Sequence, residues 1–255
     1  MSGVLSITGH PGGPPTRPGY SIGDMAGGMF TAIGVLSALV ERDRSGLGQR
    51  IDVSMLDAQV ALLENAVVRY FATGEVPARI GTRHPLVTPF QAFATSDGYL
   101  VVANVKNWVL FCATIDADVL ALDPRFETPA ARNETHGVLE PLLAAAFARR
   151  TTAAWLAVLD EVCLAAPLNS IPDMARDPQV LHRGMFADLD TPGGERLRVS
   201  GSPVKLSRTP AGPWFGADAP GGHTREILAA HLGLNGDALV SLEEEGVIGP
   251  RVPPA

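Results

Sequence analysis

The chain has 255 residues, 46% of them hydrophobic, and a net charge of −7. This length allows a sizeable core in one large or two modest domains. The acidic balance argues against nucleic-acid or anionic-membrane partners, and we expect neither. Two cysteines, Cys112 and Cys163, provide no disulfide framework and no metal-binding spacing, so we expect buried, reduced thiols.

Several functional classes lack their sequence signatures. The six histidines are scattered without ligand spacing on one helix face, so we expect no metal site. The phosphate-binding glycine motifs and the GxSxG nucleophile elbow are absent. No signal peptide and no long charge-free apolar span is recognised, which predicts a soluble cytoplasmic protein.

The stretch 17–29 places one carboxylate at the start of a long apolar helix. Apolar residues recur at three- and four-residue steps from about 24 to 44, which predicts that helix. Ser21 and Asp24 are both residue types that cap helix N-termini. Residues 1–20 before them are rich in proline and glycine and are predicted to be irregular.

Glycines lie on both sides of Asp24. Gly23, Gly27 and Gly28 each weaken the helix by about 1 kcal/mol relative to alanine. That cost makes sense where another group approaches the backbone closely. Two interpretations of Asp24 therefore stay open: a reactive carboxylate that faces a ligand, and a helix cap.

Beyond this helix, the sequence predicts a short strand and a second helix. Gly46 ends the first helix after a cationic last turn. Alternating side chains predict a strand at 50–55, and apolar periodicity predicts a helix at 55–73 that Gly74 ends. Helix, strand and helix are part of an α/β layered architecture. One strand cannot make a sheet, so we expect its partners to come from elsewhere.

The loop at 75–88 gathers cationic side chains, namely Arg79, Arg83 and His84. A cationic loop that contains glycine can hold a phosphate or a carboxylate. An ordinary solvated loop has the same composition, and both interpretations stay open.

The segment 89–170 reads as a small α+β domain. The turn Ser96-Asp97-Gly98 predicts a hairpin between strands at 90–95 and 99–103. Further predicted elements are helices near 107–115, 128–149 and 151–163, and an extended return at 165–170.

The remaining chain mixes short elements. We predict helical turns at 172–176 and 178–183, strands at 185–189 and 196–199, a Pro/Gly-rich surface run at 210–222, and two helices beyond it.

Eight short motifs follow one another along the chain, at 21–28, 46–57, 81–85, 89–98, 166–171, 177–185, 201–207 and 222–224. Each motif alone is weak, but their order is specific. Together they resemble the class III CoA-transferases, the formyl-CoA and carnitine CoA-transferase family. The resemblance extends over essentially the whole chain.

The resemblance implies an α/β fold in which a large nucleotide-binding-like domain carries a small inserted α+β domain. We expect a partial large domain with the catalytic helix at 1–88 and the small domain at 89–170. An extended connection at 171–222 would wrap a partner, and C-terminal helices at 223–255 would return to the large domain.

The resemblance also implies a chemistry, the transfer of coenzyme A between an acyl-CoA and a carboxylic acid. Asp24 corresponds to the family nucleophile, which forms a mixed anhydride and then an enzyme-bound CoA thioester. A helix N-terminus suits a carboxylate and a developing oxyanion. Gly27 and Gly28 would leave room for the thioester, and Arg83 and His84 would line the CoA or acyl channel. CoA is a substrate moiety, and no permanently bound cofactor is implied.

Family members carry an N-terminal half before the motif at 21–28, and that half supplies most of the sheet and most CoA contacts. We therefore expect a truncated or split member that works as an interlocked homodimer or with a complementary N-terminal half. The loop at 81–88 lacks the glycine run of formyl-CoA transferases, which leaves the acceptor acid open.

Two alternatives stay open. The α-methylacyl-CoA racemases share this fold and use the matching aspartate as an acid/base, partnered by a histidine from the other half. Met25-Ala26 interrupts the glycine run that racemases tend to have, so we favour the transferase. The second alternative is an inactive remnant of the family.

Overall fold

The structure is a computed structural model that describes residues 1–191, 194–212, 216 and 220–249. The chain divides into two compact units, Met1–Leu168 and Asn169–Ala255. The domain boundaries predicted from the sequence stay predictions.

The first unit begins with four helices, α1 (Val4–Ile7), α2 (Ile22–Ser45), α3 (Met55–Ala61) and α4 (Glu64–Thr73). The short helix α1 corrects the prediction that residues 1–20 are irregular throughout. Gly46 ends α2 in the left-handed conformation and donates its N–H to the Arg42 carbonyl, as its position after the cationic turn predicted. Helix α2 packs against α3.

The predicted single helix at 55–73 is wrong, because two helices lie there. The Leu63 N–H donates to the Val60 carbonyl at 3.1 Å, a three-residue turn instead of a four-residue one. Glu64 then adopts a positive φ of 27°, which interrupts the helical ladder.

The predicted strand at 50–55 is also wrong. Residues 50–54 precede α3 without regular structure, and no described strand pairs with them. Alternating side chains favour extended backbone, but a strand exists only when a neighbour accepts and donates its hydrogen bonds.

A three-stranded antiparallel sheet follows, with strands β1 (Gln91–Ala94), β2 (Tyr99–Ala103) and β3 (Leu164–Pro167) in that order. The hairpin prediction is confirmed, since β1 and β2 pair around the turn and Thr95 N–H donates to the Gly98 carbonyl at 2.9 Å. Strand β3 corresponds to the predicted extended return and places Ala166 opposite Val101.

Helices cover one part of this sheet, namely α5 (Trp108–Thr114), α6 (Pro129–Glu134), α7 (His136–Phe147) and α8 (Thr152–Leu159). The predicted helix at 128–149 is broken at Thr135. Its backbone leaves the helical region, and its hydroxyl donates to the carbonyls of Ala131 and Arg125. Such side-chain bonds to nearby backbone compete with a continuous helix.

The principal hydrophobic core lies between Phe93 and Cys163, with Ala165 packed against it. Trp155 is fully buried, and its indole Nε1–H donates to the Phe147 carbonyl at 2.8 Å. The Phe147 ring packs edge-on against Trp155 with centroids 5.3 Å apart. This part of the chain holds most of the buried apolar side chains in the described residues.

The second unit contains α9 (Ile171–Met174), α10 (Pro178–His182), β4 (Phe186–Asp190), β5 (Arg196–Ser200), α11 (Thr224–Leu232) and α12 (Gly236–Glu244). Strands β4 and β5 form an antiparallel pair, which confirms the strand predictions there. Of its described hydrophobic residues, Ala187 and Leu239 are buried. Much of the predicted surface run at 210–222 lies outside the described residues.

Helix α2 is long and apolar enough to cross a membrane by length and composition. This finding corrects the prediction that no long apolar span exists, because Met25 to Val40 carries no charged residue. Among the described residues it is the only unbroken helix of this kind; α7 and α8 qualify together but bend by 108°. Core helices of soluble proteins have the same composition, and here most of α2 is exposed.

Both cysteines are buried, as predicted. Burial raises the pKa of Cys112 to about 12 and that of Cys163 to about 11. We therefore expect neither thiol to react with a disulfide reagent at pH 8 in the folded chain, and both to react in denaturant. Fast labelling of either thiol in the native chain would contradict this burial.

Candidate active site

A cavity of about 780 Å³ opens at the N-terminal end of α2. Three parts of the first unit form its walls: residues 1–6, the chain from Arg17 into the first turn of α2, and the side of α3 that carries Leu56 and Gln59. Asp24 is the carboxylate in this lining.

Asp24 is the third residue of α2 and is exposed. No described residue donates a hydrogen bond to its carboxylate, and the N-cap residue Ser21 makes no capping bond with its own side chain. The cap interpretation of Asp24 therefore has no hydrogen bond to support it. A carboxylate without a described hydrogen-bond donor is free to contact a ligand, and the unsatisfied N–H groups of the first turn lie beside it.

Two residues of this cavity were not singled out from the sequence. The Arg17 guanidinium donates to the Ser21 hydroxyl at 3.2 Å, and it is the only Arg or Lys in the described lining. Gln59 accepts from Ser2 at 3.2 Å and donates to the Met55 carbonyl at 3.0 Å. Neither residue has a local sequence signal, because Arg17 lies in the irregular segment before α2 and Gln59 comes from another helix.

The glycines near Asp24 have different surroundings. A Cβ on Gly23 would lie 2.9 Å from Gln59 Nε2, and one on Gly27 would lie 3.3 Å from Met55 Cγ. Helix packing against α3 therefore explains both glycines. Gly28 is exposed, and no atom lies within 4 Å of an added Cβ there. Neither Gly27 nor Gly28 lines the Asp24 cavity, and their assignment to CoA binding stays a prediction.

The loop residues Arg83 and His84 also lie outside the lining of the Asp24 cavity. The Arg83 guanidinium donates to the Asn133 side-chain and backbone oxygens at 2.8 and 3.2 Å. The His84 ring stacks on Phe90 with centroids 5.1 Å apart, and its Nδ1 accepts from the Leu86 N–H. Their role in substrate binding stays a prediction.

No group of three or more His, Cys, Asp or Glu side chains suited to a metal ion occurs in the part of the chain that the structure describes. The Asp24 cavity itself offers a carboxylate, an arginine and the N–H groups of the first turn of α2.

Comparison with known proteins places the chain in a family. The profile of CoA-transferase family III matches residues 1–224. The chain is 33% identical over 251 residues to the mouse (Mus musculus) succinyl-CoA:glutarate CoA-transferase, covering 97% of this chain and 58% of that protein. It is 39% identical over 211 residues to the Acetobacter aceti acetyl-CoA:oxalate CoA-transferase, covering 81% of this chain and 53% of that protein.

A solved structure agrees with these relatives. The CAIB/BAIF family protein from Brucella suis superposes with a TM-score of 0.70 at 30% identity, over 90% of this chain and 60% of that one. The chain therefore belongs to CoA-transferase family III, and the fold class expected from its sequence is confirmed. It spans somewhat more than half the length of the relatives it matches.

Proposed function

We propose that this chain carries the nucleophile of a CoA transfer between an acyl-CoA and a carboxylic acid. The observation that carries the proposal is the free Asp24 carboxylate at the start of α2, beside a cavity, in a member of this family. The names of the relatives, which pair succinyl-CoA with glutarate and acetyl-CoA with oxalate, support dicarboxylic acids as the substrate class.

The proposed reaction splits one acyl exchange into several displacements. Asp24 attacks the thioester carbonyl, which gives a mixed anhydride and CoA thiolate. The thiolate attacks the aspartyl carbonyl of the anhydride, releases the donor acid and forms an aspartyl–CoA thioester. The acceptor carboxylate displaces CoA to form a second anhydride, and the thiolate then takes the acceptor acyl group and frees Asp24.

The electrostatics of α2 suit these steps. Each displacement places negative charge on an oxygen near the first turn of the helix. The unsatisfied N–H groups and the dipole of that turn stabilise such charge. Arg17 adds a cation to the same cavity.

We further propose that a segment equivalent to the part of the relatives that this chain does not match covers α2. This segment would lie on the same polypeptide or on another one. Met25, Met29, Ile33, Leu36 and Val40 are between 55% and 63% exposed. Helices with such apolar surfaces are stable in water when another layer buries them. The unpaired segment 50–54 next to α2 is suited to join a sheet in that layer. A homodimer, a cytoplasmic location and the absence of a permanently bound cofactor likewise stay proposals.

The test is a panel of acyl-CoA donors and carboxylic acids, assayed with and without a co-expressed N-terminal half of a relative. We expect acid-dependent formation of a new acyl-CoA when both parts are present. Intact-protein mass spectrometry should show an adduct of one CoA less one water. Deuterium exchange at the substrate α-carbon without any acceptor acid would contradict transfer and favour the racemase alternative. No turnover under any condition would favour the inactive remnant.

A further inference from the structure

A second cavity, of about 490 Å³, lies within the first unit and shares no lining residue with the Asp24 cavity. Its polar side chains are those of His10, Thr82, Arg83, Gln91, Tyr99, His136 and Glu140. The apolar part of its lining includes Pro11, Ile80, Ala92 and Leu168. A cavity of this size with a few convergent polar groups is typical of a small-molecule site.

Hydrogen bonds between distant segments hold this cavity together. The Gly81 N–H donates to the Gly9 carbonyl at 2.8 Å, and Arg79 Nε donates to the Gly13 carbonyl at 3.1 Å. Gly81 has a φ of 68°, and a Cβ there would lie 3.3 Å from the His10 ring. The loop that carries His10 and the loop that carries Arg83 are therefore fixed against each other before any ligand binds.

Arg83 carries a guanidinium nitrogen that lacks a hydrogen-bond partner among the described residues. This nitrogen is Nε, and it is buried. The guanidinium bonds only to neutral oxygens of Asn133, and no described carboxylate lies within ion-pair distance. Burial is the main cause that lowers the pKa of Arg83. The Glu140 charge partly raises that pKa again. A partly buried cation that makes no ion pair is costly, and a bound anion would lower that cost.

Glu140, the carboxylate in the same cavity, already accepts a hydrogen bond from Gln91. Gln91 Nε2 donates to Glu140 Oε1 at 3.1 Å, and His136 Nδ1 lies 3.5 Å from the other oxygen. Because Gln91 uses its amino group for Glu140, its Oε1 must accept from His136 Nε2, which lies at 2.7 Å. Glu140 makes no ion pair with Arg83, and its charge only partly opposes the effect of burial on the Arg83 pKa. The guanidinium therefore lacks a directly bound anion, which a ligand could supply.

We propose that this cavity binds a carboxylate group of a short organic acid, with Arg83 as its cation. A planar guanidinium matches a planar carboxylate better than a point charge does. The apolar part of the lining suits a short methylene chain. The role of this acid as the acyl acceptor rests on the proposed function. The binding of a carboxylate at Arg83 does not depend on that function.

The test is isothermal titration of the full 255-residue chain with glutarate, succinate, acetate and inorganic phosphate. We expect Arg83→Gln to weaken glutarate binding at least tenfold, and Arg83→Lys to weaken it less, because lysine keeps the charge without the planar fork. Arg69→Gln is the matched control, since Arg69 is also largely buried but pairs with Glu75 outside the cavity. It should bind glutarate like the unmodified chain.

Three results would overturn the proposal: equal glutarate affinity in Arg83→Gln and the unmodified chain, preference for phosphate over every acid, and no heat from any acid. Thermal unfolding of each variant is measured first, and Arg83→Lys carries the test if Arg83→Gln does not fold. Arg83-dependent glutarate binding, with no transfer under any condition even when the N-terminal half is present, would overturn the proposed function alone and leave this site in place.

Discussion

Asp24→Asn should lower CoA transfer by about a thousandfold or more in the assembled enzyme, as is typical when a covalent nucleophile is removed. An amide cannot open the thioester as a carboxylate does, so no anhydride forms and no CoA adduct accumulates. The folded chain should lose little stability, because Asp24 is exposed and accepts no hydrogen bond from a described residue. Only its interaction with the helix dipole is lost, about 0.3–1 kcal/mol.

Asp57→Asn is the matched control for this variant. Asp57 is also the third residue of its helix, α3, is also exposed, and lies outside the Asp24 cavity. Its variant should lose a similar dipole interaction and keep full transfer activity. Initial rates, intact mass and thermal unfolding of both variants check the prediction. Normal turnover in Asp24→Asn, or a CoA adduct that persists in it, would contradict the nucleophile assignment.

Trp155→Ala should destabilise the first unit by about 3–5 kcal/mol, the range measured for deletion of large buried aromatics. Trp155 is fully buried and contacts the Phe147 ring edge-on. Its truncation also leaves the Phe147 carbonyl without its indole donor, which adds the cost of an unsatisfied buried acceptor. The Arg150 guanidinium, 4.7 Å from the indole centroid, loses its cation–π contact as well.

Leu122→Ala serves as the control, because Leu122 is 84% exposed and should change stability by no more than about 0.5 kcal/mol. Urea unfolding followed by near-ultraviolet circular dichroism measures both variants. A loss below about 1.5 kcal/mol in Trp155→Ala would mean that the core at 93–165 repacks more freely than its fully buried side chains indicate.

Local signals predicted much of the fold correctly. The turn Ser96-Asp97-Gly98 predicted the hairpin, because the two strands it joins are neighbours in the chain. The stops at Gly46 and Gly74 were predicted, because both take a left-handed conformation that glycine adopts without strain.

Predictions failed where a partner outside the local stretch decides the structure. Residues 50–54 alternate as a strand would, but hydrogen bonding across a sheet decides strand formation, and no described strand pairs with them. The breaks in the helices at 55–73 and 128–149 depend on Glu64 and Thr135, whose own types do not force a break. The carbonyl of Arg125, which accepts from the Thr135 hydroxyl, lies ten residues away.

The site near Asp24 shows the same division. The sequence by itself determined three local properties of Asp24: its residue type, its position in the first turn of the helix and the family motif around it. That no described residue donates to its carboxylate, and that Gln59 lies in the same cavity, follow from how the chain packs around the start of α2, so only the tertiary structure decided them. The orphaned Arg83 Nε and the Gln91–His136–Glu140 network depend on contacts between residues about 45 to 50 apart. Sequence periodicity cannot predict such contacts, because they form only when distant segments of the chain pack together.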